Sequence, residues 1–270
     1  MASDNWNKID DFTLDSELYY CAFLDVLGYK NKSDEFFDGR FNLRGRYERA
    51  LTSSLELLEN VTVRGFTDTS RLEVRFFSDS IIITHPKNTN KETSFFNILF
   101  LCQVLSAHLS FEGLFIRGGI SQGQHIEKTN KKHNFSFLSS KALEKAYMLE
   151  STKSVYPRIL IDDDIIPDVS GHNLTMIVKN ASSYIVHFSP HIINREGNNQ
   201  SDVKLEMEDI YKIYESVTTQ RVKDKYKWLL CYYYWSLSTI PGVNMDEFEK
   251  FKVGNVCDFE MMSSGYFSHQ

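Results

Sequence analysis

Two aspartates interrupt apolar, strand-forming runs. Asp25 follows Tyr19-Tyr20-Cys21-Ala22-Phe23-Leu24 and precedes Val26-Leu27-Gly28-Tyr29, while Asp79 lies within Val74-Arg75-Phe76-Phe77-Ser78-Asp79-Ser80-Ile81-Ile82-Ile83. Charges are rarely buried without a partner. Two carboxylates brought a few ångströms apart repel one another unless a cation sits between them. Such hard oxygen donors suit Mg²⁺ or Mn²⁺, which also take oxygens from phosphates. A pair of ions can activate an attacking hydroxyl and stabilise the leaving oxygen of an in-line displacement. The turn Leu27-Gly28-Tyr29, opening a helical region, would offer backbone N–H groups to phosphate oxygens. Either aspartate alone reads better as a cap or turn former; the two together favour a site for metal and phosphate.

The elements around them set whether they can meet. Residues 18–27 read as a buried strand, nearly continuous in apolar side chains. Tyr47, Leu51, Leu55 and Leu58 recur at helical spacing between Arg44 and Asn60. Arg71–Phe77 and Ser80–His85 are expected as two strands of a hairpin turning at Ser78-Asp79, with Pro86 ending the second. An apolar helix is expected over Thr93–Ser110, then a strand over Leu114–Ser121 containing Gly118-Gly119. Glycine inside a strand often marks close approach of another backbone or a ligand. A short strand (Phe135–Leu138), a helix (Ser140–Glu150) and another strand (Arg158–Ile161) follow. The order β-α-β-β-α-β matches the split βαβ pattern of α+β, ferredoxin-like folds. Asp162-Asp163-Asp164 reads as a solvated turn. Beyond it a strand is expected over Tyr184–Phe188 and helices over Val203–Thr219 and Asp224–Leu237. The second helix carries Trp228, Tyr232, Tyr233, Tyr234 and Trp235, a stripe that reads as core or dimer seam. Residues 1–16 read as a loose arm, and the tail after Gly254 carries no pattern.

With 270 residues, 42% hydrophobic and 14% aromatic, the chain can build a sizeable core. Its net charge of −6 argues against general nucleic-acid binding. No stretch is expected to approach the roughly 20 apolar residues that cross a bilayer, and no signal peptide is visible. Cys21, Cys102, Cys231 and Cys257 lack metal-ligand spacing. A reducing cytoplasm fits this composition.

Four segments carry a resemblance. Phe23-Leu24-Asp25-Val26-Leu27-Gly28-Tyr29 and Phe77-Ser78-Asp79-Ser80 resemble the two metal motifs of class III nucleotide cyclases. Arg117-Gly118-Gly119-Ile120-Ser121-Gln122-Gly123 is similar to that family's Arg-x-Gly-Ile-x-x-Gly strand, and Ala142 to Ser151 to the helix after it. The forms Leu-Asp-Val-Leu-Gly, Phe-Ser-Asp-Ser and Arg-Gly-Gly-Ile-Ser, with Lys225-Tyr226-Lys227-Trp228-Leu229, are most similar to the pyrimidine cyclases of the Pycsar antiphage system. The resemblance covers roughly residues 18–162. It implies an N-terminal arm (1–17), a cyclase domain (18–190) and a helical extension (191–270). It also implies a cytoplasmic homodimer, without membrane insertion, that converts UTP or CTP to cyclic UMP or cyclic CMP for a separate effector. Two Mn²⁺ or Mg²⁺ ions per site would be held by Asp25, Asp79 and the Val26 carbonyl. Phe23, Leu24, Leu27, Gly28 and Tyr29 would wrap the triphosphate. Arg75 falls where adenylyl cyclases carry a base-reading Lys and Phe137 about where they carry a base-reading Asp, so purine selection is not expected. Tyr47 is placed to reach the base or to pack in the core.

The departures are specific. The positions of the family's transition-state Asn and Arg hold Glu144 and Met148, and a Met cannot neutralise charge developing on phosphate. Arg117, Lys145 and Lys225 are candidate substitutes, Arg117 equally fitting a structural partner of a buried carboxylate. By the resemblance to that family, uridylate cyclase is the first expectation and cytidylate cyclase the second. A catalytically degenerate nucleotide sensor is the alternative, and a structural α/β protein the plainest one.

Overall fold

In the computed structural model, residues 16–63, 68–87, 91–130, 132–133, 135–188, 200–254 and 258–262 are described. The expected N-terminal arm and Cys257 lie outside these residues. The strand β1 (Glu17–Val26) leads through a tight turn to α1 (Tyr29–Phe37) and α2 (Leu43–Val63). The hairpin β2 (Glu73–Phe77) and β3 (Ser80–Pro86) follows, then α3 (Lys91–Phe111) and β4 (Ile116–Asn130). The sheet order runs β2-β3-β1-β4, each neighbouring pair antiparallel. This is the ferredoxin-like, split βαβ arrangement of an α+β fold: β3 lies between β1 and β2, and β1 lies between β3 and β4.

Beyond this core come β5 (Phe135–Ser140), which pairs with β4, then α4 (Lys141–Lys153) and β6 (Ile159–Ile161). Strands β7 (Ile177–Asn180) and β8 (Ser183–Val186) extend the sheet, helices α5 (Gln200–Ser216) and α6 (Gln220–Ser238) follow, and β9 (Phe259–Met261) pairs with β7. The tail that shows no pattern in sequence therefore contributes a strand. Its register against Val178–Asn180 is set by main-chain pairing, which composition does not report. β4 is also much longer than expected, because after Ser121 it trades burial for pairing with β5.

Alternation along β1 divides the sheet into two environments. Tyr20, Ala22, Leu24 and Val26 are essentially inaccessible and pack in one cluster with Ile81, Ile83, α2 and α3. Cys21, Phe23 and Asp25 face the other way, where α4 crosses β4 and β1. Helix α3 is long and apolar enough to cross a membrane, contrary to the sequence expectation, but 89% of its apolar window is buried inside the protein. Burial on all sides removes the amphipathic period a surface helix would show.

Helices α5 and α6 build a second cluster against the sheet, with Phe115, Val178, Ile185 and Phe188. Trp228 stacks on Tyr232 at 5.4 Å, and the Tyr232 hydroxyl accepts from the Phe188 N–H at 3.1 Å. Trp228, Tyr232, Tyr233 and Trp235 are all buried, so the aromatic stripe is core and not a dimer seam. Asp162, Asp163 and Asp164 form a turn after β6; Asp162 accepts from Ser121 and Asp164 from Lys145.

The glycines of β4 admit α4. A Cβ at Gly119 would lie 2.5 Å from the Ala146 carbonyl oxygen and 2.6 Å from the Leu149 Cβ, and one at Gly123 would lie 2.9 Å from the Ala142 nitrogen. The helix can sit this low only because these positions lack side chains. It holds its first turn by the Ser140 hydroxyl, which accepts from the Leu143 N–H at 3.1 Å. Gly119→Ala is expected to destabilise the protein by ~1–3 kcal/mol, the usual range for overpacking a tight contact. Urea denaturation checks this; Gly119 has no left-handed φ, so the loss reports the steric contact alone.

Candidate active site

Asp25 sits at the end of β1 with Ser80 of β3 opposite it on one side and Arg117 of β4 on the other. Asp79 is the second residue of the two-residue hairpin loop, and Ser78 before it takes a left-handed φ of 54°. The Val26 N–H donates to the Asp79 carbonyl at 2.9 Å, which fastens the loop to the end of β1. The two aspartates thus meet at one end of the sheet. Burial first, then the neighbouring Asp79 charge, raise the Asp25 pKa, with Arg117 and Lys225 opposing. Among the described residues Asp79 takes only a long side-chain hydrogen bond from Ser80, 3.3 Å.

Arg117 organises the interior side of this site. Its Nε donates to Asp25 Oδ2 at 2.9 Å, one terminal nitrogen donates to the Ser154 carbonyl at 3.2 Å, and the other pairs with Glu150 at 2.6 Å. Glu150 is buried, and burial raises its pKa against the lowering effect of Arg117; Asp25 and Asp79 add to the rise. Arg117 therefore acts as the partner of two carboxylates, Glu150 buried and Asp25 half-buried, one of the two roles its sequence position permits. The sequence does not single out Glu150 as a site residue. Its signal is there nonetheless: Ala142, Ala146 and Glu150 recur every fourth residue and form the buried stripe of α4.

The segment after Asp25 divides by direction. Leu24 and Val26 point into the core, so only their main chains can serve a ligand; a wrapping role for the Leu24 side chain is excluded by its complete burial. Leu27 packs on the second cluster, and its N–H is taken by the Phe115 carbonyl at 2.8 Å. Gly28, at φ 73°, caps α1 without a side-chain bond. The first N–H groups of that helix are thereby left for another acceptor. Phe23 lies on the face that α4 crosses, edge-on to Tyr147 at 5.2 Å.

Tyr47 reaches toward the pair from α2. Its buried hydroxyl has no hydrogen-bond partner among the described residues, and burial with the charges of Tyr29, Asp79 and Asp25 raises its pKa. It packs edge-on to Phe76 at 5.7 Å. Together with Tyr29, Phe36, Phe37, Phe76 and Ser78 it lines a cavity of about 320 Å³ beside the hairpin loop. Arg75 does not join the site: it is bound by Glu127 of β4 at 2.6 Å and by Glu73, so its charge is spent along the sheet. Phe137 is exposed on β5, paired with Lys128.

The three candidate cations separate cleanly. Arg117 is engaged as described, and Lys145 is bound to Asp164 at 2.9 Å. Lys225, near the start of α6, makes no ion pair within 4 Å among the described residues, yet it lies in the field of Asp25, Glu150 and Arg117; burial and the two nearby arginines lower its pKa. Tyr226 next to it packs edge-on to Phe115 at 6.0 Å, and Phe115 is joined to Leu27, which anchors this turn of α6 beside the end of β1. Glu144 pairs with Lys141 at 2.7 Å, and Met148 stands exposed. Among the described residues no group of three or more His, Cys, Asp and Glu converges as a ready metal cluster. The oxygen donors at the sheet end are the Asp25–Asp79 pair, with Glu150 held by Arg117.

No protein-family model matches the chain, and no curated protein does. Similar solved structures include the adenylyl cyclase CyaB from P. aeruginosa, at 14% identity over 63% of this chain and 94% of that one, TM-score 0.39. The guanylate cyclase domain of RhGC from Catenaria anguillulae, in complex with GTP, is 14% identical over 63% of this chain and 96% of that one, TM-score 0.40. Adenylate cyclases from Trypanosoma brucei, in their monomeric state, are represented at 14% identity over 64% of this chain and 90% of that one, TM-score 0.42.

Proposed function

We propose that the chain is a nucleotide cyclase acting on a pyrimidine nucleoside triphosphate, UTP ahead of CTP. The 3′-hydroxyl attacks the α-phosphorus of the same molecule, a new P–O bond closes the ring, and pyrophosphate leaves with the electrons of the broken bond. The observation that carries this reading is the joining of Asp25 and Asp79 at one sheet end by the Val26–Asp79 main-chain bond, beside the uncapped start of α1. The donor set, two carboxylates of which Asp25 is raised by burial first and by the Asp79 charge second, fits hard divalent cations. Mg²⁺ or Mn²⁺ held by Asp25, Asp79 and the Val26 carbonyl would supply a lowered hydroxyl pKa and charge neutralisation on the phosphates.

The chain's own groups do the positioning. Main-chain N–H groups of Gly28 and Tyr29 receive triphosphate oxygens. Arg117 holds the Asp25 carboxylate in place. Tyr47 offers its unpartnered hydroxyl to the ligand, and the aromatic cavity behind it is open to the base. Lys225 takes the part that Met148 cannot, neutralising charge as it develops on the transferring phosphorus. Phe77, Tyr147 and Met148 are exposed apolar side chains near the site and suit a homodimer interface. In this reading the cyclic UMP or cyclic CMP is a cytoplasmic second messenger for a separate effector in antiphage defence, as the resemblance to the Pycsar cyclases suggests.

A second reading, a nucleotide sensor without turnover, is favoured by one feature: Glu144 and Met148 stand where related cyclases carry their transition-state pair. Incubation with each of the four nucleoside triphosphates and Mn²⁺, followed by mass spectrometry, separates the two. Cyclic UMP as the main product is expected; binding without any cyclic product establishes the sensor instead.

Asp79→Asn is expected to abolish product while leaving the melting temperature near wild type, because Asp79 holds no ion pair among the described residues. Asp25→Asn should abolish product as well, with a lower melting temperature, since it strips Arg117 of one partner. Full turnover by both variants refutes the metal assignment. Lys225→Met is expected to lower kcat by about 10²–10³-fold with little change in KM, the scale seen on removing one transition-state donor. Steady-state kinetics check this, and an unchanged kcat removes Lys225 from the mechanism.

A further inference from the structure

Helix α6 brings more positive charge toward the carboxylate pair than Lys225 alone. Tyr232, Trp228, Lys225 and Arg221 recur at helical spacing and form one stripe of α6. Burial fades along it toward the start of the helix: Tyr232 and Trp228 are buried, Lys225 is half-buried and Arg221 is exposed. The inner part of the stripe packs on the second cluster. Its outer part runs on past the turn that Tyr226 anchors on Phe115, beside the end of β1. Arg221 is close enough to Lys225 for its charge, after burial and Arg117, to help lower the pKa of that ammonium.

Arg221 makes no hydrogen bond or ion pair among the described residues. The other arginines of the sheet end are spent, Arg117 on Asp25 and Glu150 and Arg75 on Glu127. Asp224, the nearest acid in sequence, takes its bond from Gln220 at 2.7 Å. Helix stability does not explain the arginine either. A cation in the first turn opposes the helix dipole, and this turn holds no acidic residue and receives no side-chain bond from Thr219. Two cations four residues apart, about 6 Å along the axis, can hold successive phosphates of one polyphosphate chain. A guanidinium adds a planar fork that meets phosphate oxygens in pairs.

We propose that Arg221 binds the β- and γ-phosphates of the substrate, the part that departs as pyrophosphate, with Lys225 next to it on the α-phosphate side. This rests on the placing of the triphosphate at that sheet end under the cyclase reading. Arg221 then meets the negative charge that pyrophosphate gains as its bond to the α-phosphorus breaks. The test is calorimetric titration of the full chain with pyrophosphate and excess Mn²⁺. Arg221→Met is expected to weaken binding about tenfold or more, the scale of a hydrogen bond to a charged group, with an unchanged melting temperature because the side chain is exposed. Lys223→Met removes the same charge from the same helix, but from a side chain lying over Tyr214 at 4.6 Å, and should leave the affinity as it was. A wild-type chain that does not bind pyrophosphate, an affinity that Arg221→Met leaves unchanged, or an equal loss in Lys223→Met overturns the proposal. Cyclic product from the wild type beside an indifferent Arg221→Met overturns it alone. No cyclic product beside a loss confined to Arg221→Met sinks turnover and upholds the phosphate contact.

Discussion

One main-chain hydrogen bond holds the candidate site together: the Val26 N–H to the Asp79 carbonyl. Sheet register alone places Ser80 beside Asp25 but leaves the hairpin loop free to lean either way. The bond removes that freedom without using any side chain. The Asp79 carboxylate can then stay unspent on structure, the loop being fixed by backbone, while Asp25 is held by Arg117. The cost falls on Ser78, which adopts a left-handed conformation that a non-glycine residue takes reluctantly. Strain of this kind tends to gather where a functional group must be aimed.

The charge arrangement behind the pair follows the same economy. Asp25, Asp79 and Glu150 would repel one another in a half-buried setting, and Arg117 bridges two of them with its planar fork. An arginine suits this better than a lysine because it meets two carboxylates and a carbonyl in one fixed geometry. The glycines of β4 belong to this arrangement. Gly119 and Gly123 let α4 lie close enough to bring Glu150 within reach of Arg117, which stands two residues before the first of them.

Much of this was legible in the chain. The split βαβ order, the hairpin at Ser78-Asp79 and the meeting of the two aspartates follow from strand-forming runs and a two-residue turn. The close approach at Gly118-Gly119 follows from glycine inside a strand. Other features left weaker marks. Strands β7 and β9 are three or four residues long and owe their pairing to distant partners, so no local period announces them. Arg75 is a positive charge in the right part of the sequence, but its partner Glu127 is 52 residues away, and only folding reveals that it is occupied. Likewise, Lys225 is one lysine in a helix until the packing of Tyr226 on Phe115 sets it beside β1.

That last placement ties the start of the chain to its final third. A polypeptide emerging from the ribosome completes β1, the hairpin and β4 long before α6 exists, and β9 pairs with β7 later still. The carboxylates would be assembled early, the lysine that faces them late. Synthesis itself thus imposes an order: the sheet end that carries both carboxylates is complete before the helix that carries Lys225 exists.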